Sequence, residues 1–277
     1  MFPPPDGDAV TGNFHLRYED IAADGSLALH GMPHAIGPVF WRKQVPASPL
    51  VALRGSGIVP ILTRLRTEGH AGPINMEAAL RGSSRYRVAR GMHDGALRHL
   101  VLDVRIEIDG VRGSMYGPPP PDVGTRVELG TVSAEHVFTR LFAKPTDRRV
   151  EALPFEVTEK RDWQPPAALL QLPAGATAVD ELSIEPAAVV FGAEHMDANQ
   201  HVNSLVYPRL FREAALRRMA ALGLDTAAPF RFQDTAYRKP AFAGERLPIA
   251  VQVFELGDAH GAVAVLVDGP DASIANA

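Results

Sequence analysis

The chain of 277 residues contains no cysteine, which excludes disulfides, thiolate metal sites and a cysteine nucleophile. Aromatic residues are sparse, at 7%, and form no ring-stacking cluster along the sequence. There is no basic excess: 28 Lys and Arg against 32 Asp and Glu leave a net charge of -4, with a pI near 6.2. A nucleic-acid partner is therefore not expected, because its electrostatic footprint would be basic. No apolar run approaches the roughly 20 residues of a membrane span, so no membrane partner is expected either. The N-terminal MFPPPDGDAV lacks the basic region and apolar core of a signal peptide, and the expected location is cytoplasmic.

Several familiar chemistries are also missing. No serine lies in Gly-x-Ser-x-Gly, so there is no α/β-hydrolase elbow. Gly55-Ser56-Gly57 opens like a dinucleotide fingerprint but runs into Pro60, with no strong strand before it. His30 and His34 have helical metal spacing, yet Gly31 stands where His-Glu-x-x-His needs glutamate, and Pro33 lies between them. Asp197 and Asn199 could open a calcium loop, but Val202 and Pro208 occupy its glycine and glutamate positions. No metal and no cofactor is expected.

What remains is an ordinary globular composition, 46% hydrophobic and 22% charged, in a chain long enough for two modest domains or one large one. Residues 14–29 read as strand, Asp-Gly turn and strand. From Pro49 to Glu68, Leu50, Leu53, Ile58, Ile61, Leu62 and Leu65 recur at near-helical spacing, interrupted by Gly55, Gly57 and Pro60. Strand-like runs follow at 76–80, 85–89, 99–108, 111–116 and 125–135, the last two separated by the stiff Gly117-Pro-Pro-Pro-Pro-Asp122 loop. A boundary is expected at 161–178, where prolines cluster amid little periodicity. Beyond it, 182–191 reads as strand, 204–222 as an amphipathic helix stopped by Gly223, and 230–237, 247–255 and 262–268 as strands. Strand, helix and several antiparallel strands in each half suggest two copies of one α+β unit. The expected division is 1–160, a linker at 161–178, and 179–277. Aligning Ser56–Arg66 with Ser204–Ala214 matches Ser, Pro, Leu and Arg at an offset of 148.

The most informative stretch is Met196-Asp197-Ala198-Asn199-Gln200-His201-Val202-Asn203. It sets a carboxylate, an amide and an imidazole at spacing two, immediately before the amphipathic segment. At such a helix start, backbone N–H groups point outward and can hold a developing negative charge. Asp197, Asn199 and His201 are the candidate catalytic residues, and Val202, Asn203 and Ser204 the candidate substrate-binding donors. Simpler roles exist for each: Asp, Asn or Ser before a helix is commonly a cap, and a single histidine is commonly structural. Tyr207-Pro208 reads as structural, and Arg209, Arg212, Arg217 and Arg218 as a solvated helix face rather than a phosphate site.

Phe191-Gly-Ala-Glu-His-Met-Asp-Ala-Asn-Gln-His-Val-Asn-Ser204 resembles the active-site segment of hotdog-fold acyl thioesterases, both the 4-hydroxybenzoyl-CoA type and the acyl-ACP type. Tyr237-Arg238-Lys239-Pro240 with Gly244-Glu245 resembles the strand beside the helix in that superfamily, and Leu16-Arg17-Tyr18-Glu19 resembles the start of its first unit. The resemblance implies an α+β fold of two hotdog units, each an antiparallel sheet wrapped around a central helix. It implies that the units pair within one chain, with the active site between them and further association left open. The implied reaction is hydrolysis of an acyl thioester, with acyl-CoA or an acyl carrier protein as partner. In the family the residue matching Asp197 is nucleophile or general base. Asn199 would orient water or the carbonyl, His201 would assist proton transfer, and the 202–204 amides would bind the oxyanion.

The chain departs from the acyl-ACP pattern at Pro240, near where that family carries an acidic residue, and its first half has no Asp-x-Asn-x-His. Under the 148 offset, Asp197 faces Pro49 and His201 faces Leu53. Two alternatives stay open: a hotdog dehydratase, hydratase or acyltransferase of a fatty-acid or polyketide pathway, and a non-catalytic acyl-binding module.

Overall fold

Three long antiparallel strands organise the first half of the chain. The computed structural model describes residues 8–70, 72–115, 117–165 and 171–267. Tyr116 and Asp268, at the ends of two expected strands, and 166–170, inside the expected boundary, lie outside that set. The chain divides into two compact units, Met1–Gln164 with Pro229–Asp234, and Pro165–Ala228 with Thr235–Ala277.

In the first unit the strands are β1 (Val10–Phe14), β2 (Val59–Gly69), β3 (Leu80–His93), β4 (Ala96–Val111), β5 (Arg126–Thr139) and the short β6 (Lys160–Asp162). They pair in the order β1-β3-β4-β5-β2, followed by strand Phe232–Ala236, while β6 runs parallel to β3 beside β1. Asp94, in the left-handed region at φ 51°, and Gly95 turn β3 into β4. The Arg64 guanidinium clamps Asp234 through both oxygens, at 2.8 and 2.6 Å, and so holds the returning strand.

Alternation along β4 separates two faces. Leu100, Leu102, Val104, Ile106 and Ile108 are buried on one. The helical segment of this unit is also anchored by fully buried apolar side chains, Met32, Ala35, Val39 and Phe40. A Cβ at Gly82 would lie only 2.8 Å from Val39, so glycine there lets the segment approach β3 closely. The segment is not an α-helix. It runs through 3-10 turns at Met32–Ala35, a π-type stretch at Ile36–Gln44 and further 3-10 turns at Val45–Ala47 and Pro49–Leu53. Pro33, Pro38, Pro46 and Pro49 each remove an N–H from the regular ladder, which accounts for the broken geometry.

The opposite face of the sheet carries charge. Register sets Arg87, Asp103 and Glu135 side by side on β3, β4 and β5. Arg161 reaches them from β6, with Nε 2.7 Å from Asp103 and its other end on Glu135. Arg87 donates to Asp103 at 2.9 Å and reaches Glu159 at 3.1 Å, and Thr63, on a bulge in β2, donates to Glu135 at 2.9 Å. Side chains of Arg87, Asp103, Glu135 and Arg161 are all below 10% exposed. Each buried charge has an opposite partner, as burial requires.

Several expectations are corrected here. The 49–68 stretch is 3-10 helix only at Pro49–Leu53 and then becomes strand β2. Pairing with β5 and the β-branched Val59, Ile61, Thr63 and Thr67 outweigh the near-helical spacing of its leucines. Beyond Phe14, which ends β1, residues 14–29 pair only through the single bridge Ile21–Leu27. There, buried Asp20 draws the chain into a 3-10 turn by accepting from the Arg17 backbone at 2.9 Å and guanidinium at 2.8 Å. Residues 76–79 are irregular, and strand begins at Leu80. The 148 offset fails because it sets strand β2 against a helix.

In the second unit, helix α1 (Val206–Ala221) lies on the hairpin Ile249–Leu256/Ala259–Leu266. Leu210, Phe211 and Ala214 of α1 meet Ile249, Val251, Ala262 and Leu266. Thr177–Ala178 and Ser183–Ile184 extend the sheet beside Ile249–Leu256, and Val189–Val190 pairs with Arg246–Leu247. The expected strand 182–191 is thus two short pieces, with Pro186 between them. Gly223, at φ 74°, ends α1, and Leu224 donates back to Met219 at 3.0 Å.

Candidate active site at the start of helix α1

The segment leading into α1 is a closed loop. A 3-10 turn at Ala193–His195 delivers the chain to Met196, which bridges to Val202. Within the loop, Asp197 N donates to His201 O and Gln200 N to Asp197 O, both at 3.0 Å. Gln200 takes the left-handed conformation at φ 64°, which closes the turn. Below it, Phe191, Val202, Tyr207 and Ala241 form a buried cluster with Met196 and Tyr237 packed against it. The loop therefore rests on a fixed apolar floor.

This turn brings Asp197, Asn199 and His201 together. Asp197 Oδ1 accepts the Asn199 backbone N–H at 2.8 Å and lies 3.7 Å from His201 Nδ1. Asp197 Oδ2 is 3.4 Å from the Asn199 amide nitrogen, and His201 Nδ1 is 3.3 Å from Val202 O. The Asp197 side chain is 21% exposed and that of His201 36%, so a carboxylate and an imidazole stand together at a partly open surface. Asp197 is thus held by its own loop and remains partly exposed.

The proposed oxyanion donors are placed less simply. Val202 N donates to Ala241 O at 2.8 Å and Asn203 N to His195 O at 2.9 Å. Of the three amides, that of Ser204 alone has no acceptor among the described residues. Helix α1 begins at Val206, two residues later than its periodicity suggests, because Asn203 forms an intervening turn. Its Oδ1 accepts from Leu205 N at 2.8 Å and its backbone O from Val206 N at 2.9 Å.

Two tyrosines tie this helix start to the following strand region. Tyr237 donates its hydroxyl to Ser204 O at 2.9 Å, while the Tyr207 hydroxyl accepts from Ala241 N at 2.9 Å. Burial raises both phenol pKa values, with the charges of Glu245 and Asp197 adding to the effect on Tyr207. Tyr237 therefore stays a neutral donor. Its contact with Ser204, and the His195 carbonyl's contact with Asn203, are positioning interactions that the motif alone does not reveal. The signal for Tyr237 was its place in the Tyr-Arg-Lys-Pro segment.

The arginines of α1 are not a uniformly solvated face. Arg217 pairs with Glu185 at 3.2 Å and Arg218 with Asp180 at 2.5 Å. Arg209 pairs loosely with Glu213 at 3.7 Å, and burial pushes Arg212 down to about 10. Among the described residues, no group of three His, Asp or Glu side chains could hold a metal ion.

No protein-family model and no curated protein sequence matches the chain. Solved structures do. A protein described as an oleoyl thioesterase from Lactobacillus plantarum superposes with a TM-score of 0.56, covering 94% of this chain and 95% of its own, at 13% identity. An acyl-ACP thioesterase from Bacteroides thetaiotaomicron superposes with a TM-score of 0.53, covering 93% and 96%, at 12% identity. The chain has the α+β double hotdog fold. Its second hotdog unit carries the Asp197 loop at the start of the central helix. The first unit has a helical segment without that motif.

Proposed function

We propose that this double hotdog protein hydrolyses acyl thioesters of CoA or an acyl carrier protein, using Asp197. The observation that carries the reading is the clustering of Asp197, Asn199 and His201 immediately before α1. The two structural neighbours, described as an oleoyl thioesterase and an acyl-ACP thioesterase, support this reading.

Either of two routes uses the same residues. As nucleophile, an Asp197 carboxylate oxygen attacks the thioester carbonyl; the C–S bond breaks, the thiolate takes a proton, and water cleaves the mixed anhydride to regenerate the carboxylate. As general base, Asp197 takes a proton from a water that attacks the carbonyl directly, and the tetrahedral intermediate expels the thiolate. In both, charge develops on the carbonyl oxygen, for which the Ser204 N–H is the available backbone donor. His201 orients the carboxylate and carries the proton to the departing sulfur. Asn199 holds the carboxylate through its N–H and offers its side-chain amide to the substrate or water. With Pro240 standing near where the acyl-ACP pattern has an acidic residue, the base or nucleophile role in this reading falls to Asp197.

The test is thiol release from a panel of short, long and aromatic acyl-CoA and acyl-carrier substrates. Free thiol and free acid in equal amounts support hydrolysis. A trans-enoyl thioester formed without thiol would instead mark a dehydratase, and tight acyl-CoA binding without turnover a binding module.

A further inference from the structure

The loop after β5 combines positive charge with an exposed aromatic side chain that thioester chemistry does not use. It reads Arg140-Leu141-Phe142-Ala143-Lys144-Pro145-Thr146-Asp147-Arg148-Arg149, four cations against one carboxylate in a chain of net charge -4. Phe142 is 92% exposed, and Leu141 beside it is 40% exposed.

The loop is held in shape. Arg140 N donates to Arg148 O at 3.0 Å, Ala143 N to Arg140 O at 3.0 Å and Asp147 N to Lys144 O at 2.8 Å. Arg148 Nε donates to Ala143 O at 3.2 Å, and Arg149 Nη2 to Leu97 O at 2.9 Å. The last contact brings the loop beside the start of β4, where exposed Arg98 adds a further cation. The charges of Arg98 and Arg149 both reach His99, whose pKa is lowered first by burial and further by this field. Among the described residues, Arg149 is the one loop cation within ion-pair distance of a carboxylate, Glu151 at 3.6 Å, and both side chains are more than half exposed. Such a pair is weak in water and easily exchanged.

We propose that this loop docks the protein reversibly on an anionic lipid surface. Phe142 and Leu141 enter the interface while Arg140, Lys144, Arg148 and Arg149 meet lipid phosphates. Aromatic side chains favour the headgroup boundary, and guanidinium groups pair well with phosphate. An acidic protein would satisfy the cations, but it would leave a protruding Phe142 in water unless it carried a matching groove. A bilayer interface deforms around the ring and accepts both features together. This contact lies on the surface and needs no span; it departs from the expectation of no membrane partner, which rested on the absence of long apolar runs alone. It does not depend on the proposed hydrolysis.

The experiment is sedimentation of the full chain with vesicles of phosphatidylcholine alone or mixed with phosphatidylglycerol, at low and raised salt. Binding is expected only to the anionic vesicles and should weaken as salt screens the charges. Lys144→Glu, at a side chain with no partner among the described residues, should weaken binding about 30-fold. Phe142→Ser should weaken it about tenfold. Phe142→Trp should keep binding and give a blue-shifted emission on vesicle addition, beyond that of Trp41 and Trp163. Equal binding to both vesicle types, no binding to either, or indifference to Lys144→Glu and Phe142→Ser would overturn the proposal. So would loop-dependent binding to an acidic carrier protein with none to vesicles.

Discussion

Acidification should destabilise the first hotdog unit through the ring of His136. This side chain lies on β5 with its ring centroid 5.7 Å from that of Trp41, and burial pushes its pKa down to about 4. A hydrogen bond with the Leu102 backbone opposes that shift only in part, and Nδ1 has no partner among the described residues. In the unfolded chain the same group titrates near 6.5. Above that value both states are neutral and His136 gives no pH dependence. Between about 6.5 and 4 the unfolded chain binds a proton that the folded one refuses, so stability falls by about 1.4 kcal/mol per pH unit, or roughly 3 kcal/mol in all. Urea denaturation of wild type and His136→Gln, at about pH 7.5 and about pH 4.5, isolates the effect. Trp41 and Trp163, the only two tryptophans, both belong to the first unit, so their fluorescence reports it. Wild type should lose about 3 kcal/mol more than the variant between the two pH values, whatever the variant's stability at neutral pH. Equal losses would refute the assignment. His34 and His99, also lowered mainly by burial, add losses of the same sign that are common to both proteins.

Arg161→Met would take the cation from the buried Glu135 carboxylate and leave Asp103 to Arg87 alone, and should cost about 3–5 kcal/mol by the same fluorescence assay. Asn203→Ala removes the acceptor for Leu205 N and should cost about 1 kcal/mol in urea denaturation, through the start of α1. Tyr237→Phe loses the bond to Ser204 O, and kcat for thiol release should fall roughly fivefold with KM little changed.

The loop that carries the candidate residues was more legible than the scaffold that holds it. Asp197, Asn199 and His201 stand at spacing two in one short loop, so their meeting is a local matter that sequence records. The partners of the neighbouring amides are not local. Val202 N is taken by Ala241 O and Asn203 N by His195 O, pairings that only the packed structure reveals. Likewise Arg87, Asp103, Glu135 and Arg161 lie far apart along the chain and meet only through strand register. The helical segment 32–53 escaped because its prolines erase the helical pattern, while β2 carried a helix-like spacing that sheet pairing overruled. The α+β double hotdog character was nevertheless expected from the residues resembling hotdog thioesterases, while the order of elements was read correctly only in the second half, because the helix placed at 49–68 is largely strand β2.

The most direct test of the central claim compares thiol release by wild type and Asp197→Asn on the best substrate from the panel. If Asp197 is nucleophile or base, kcat should fall at least about 100-fold, roughly 3 kcal/mol of barrier, with circular dichroism unchanged. Equal rates in the two proteins would contradict the account.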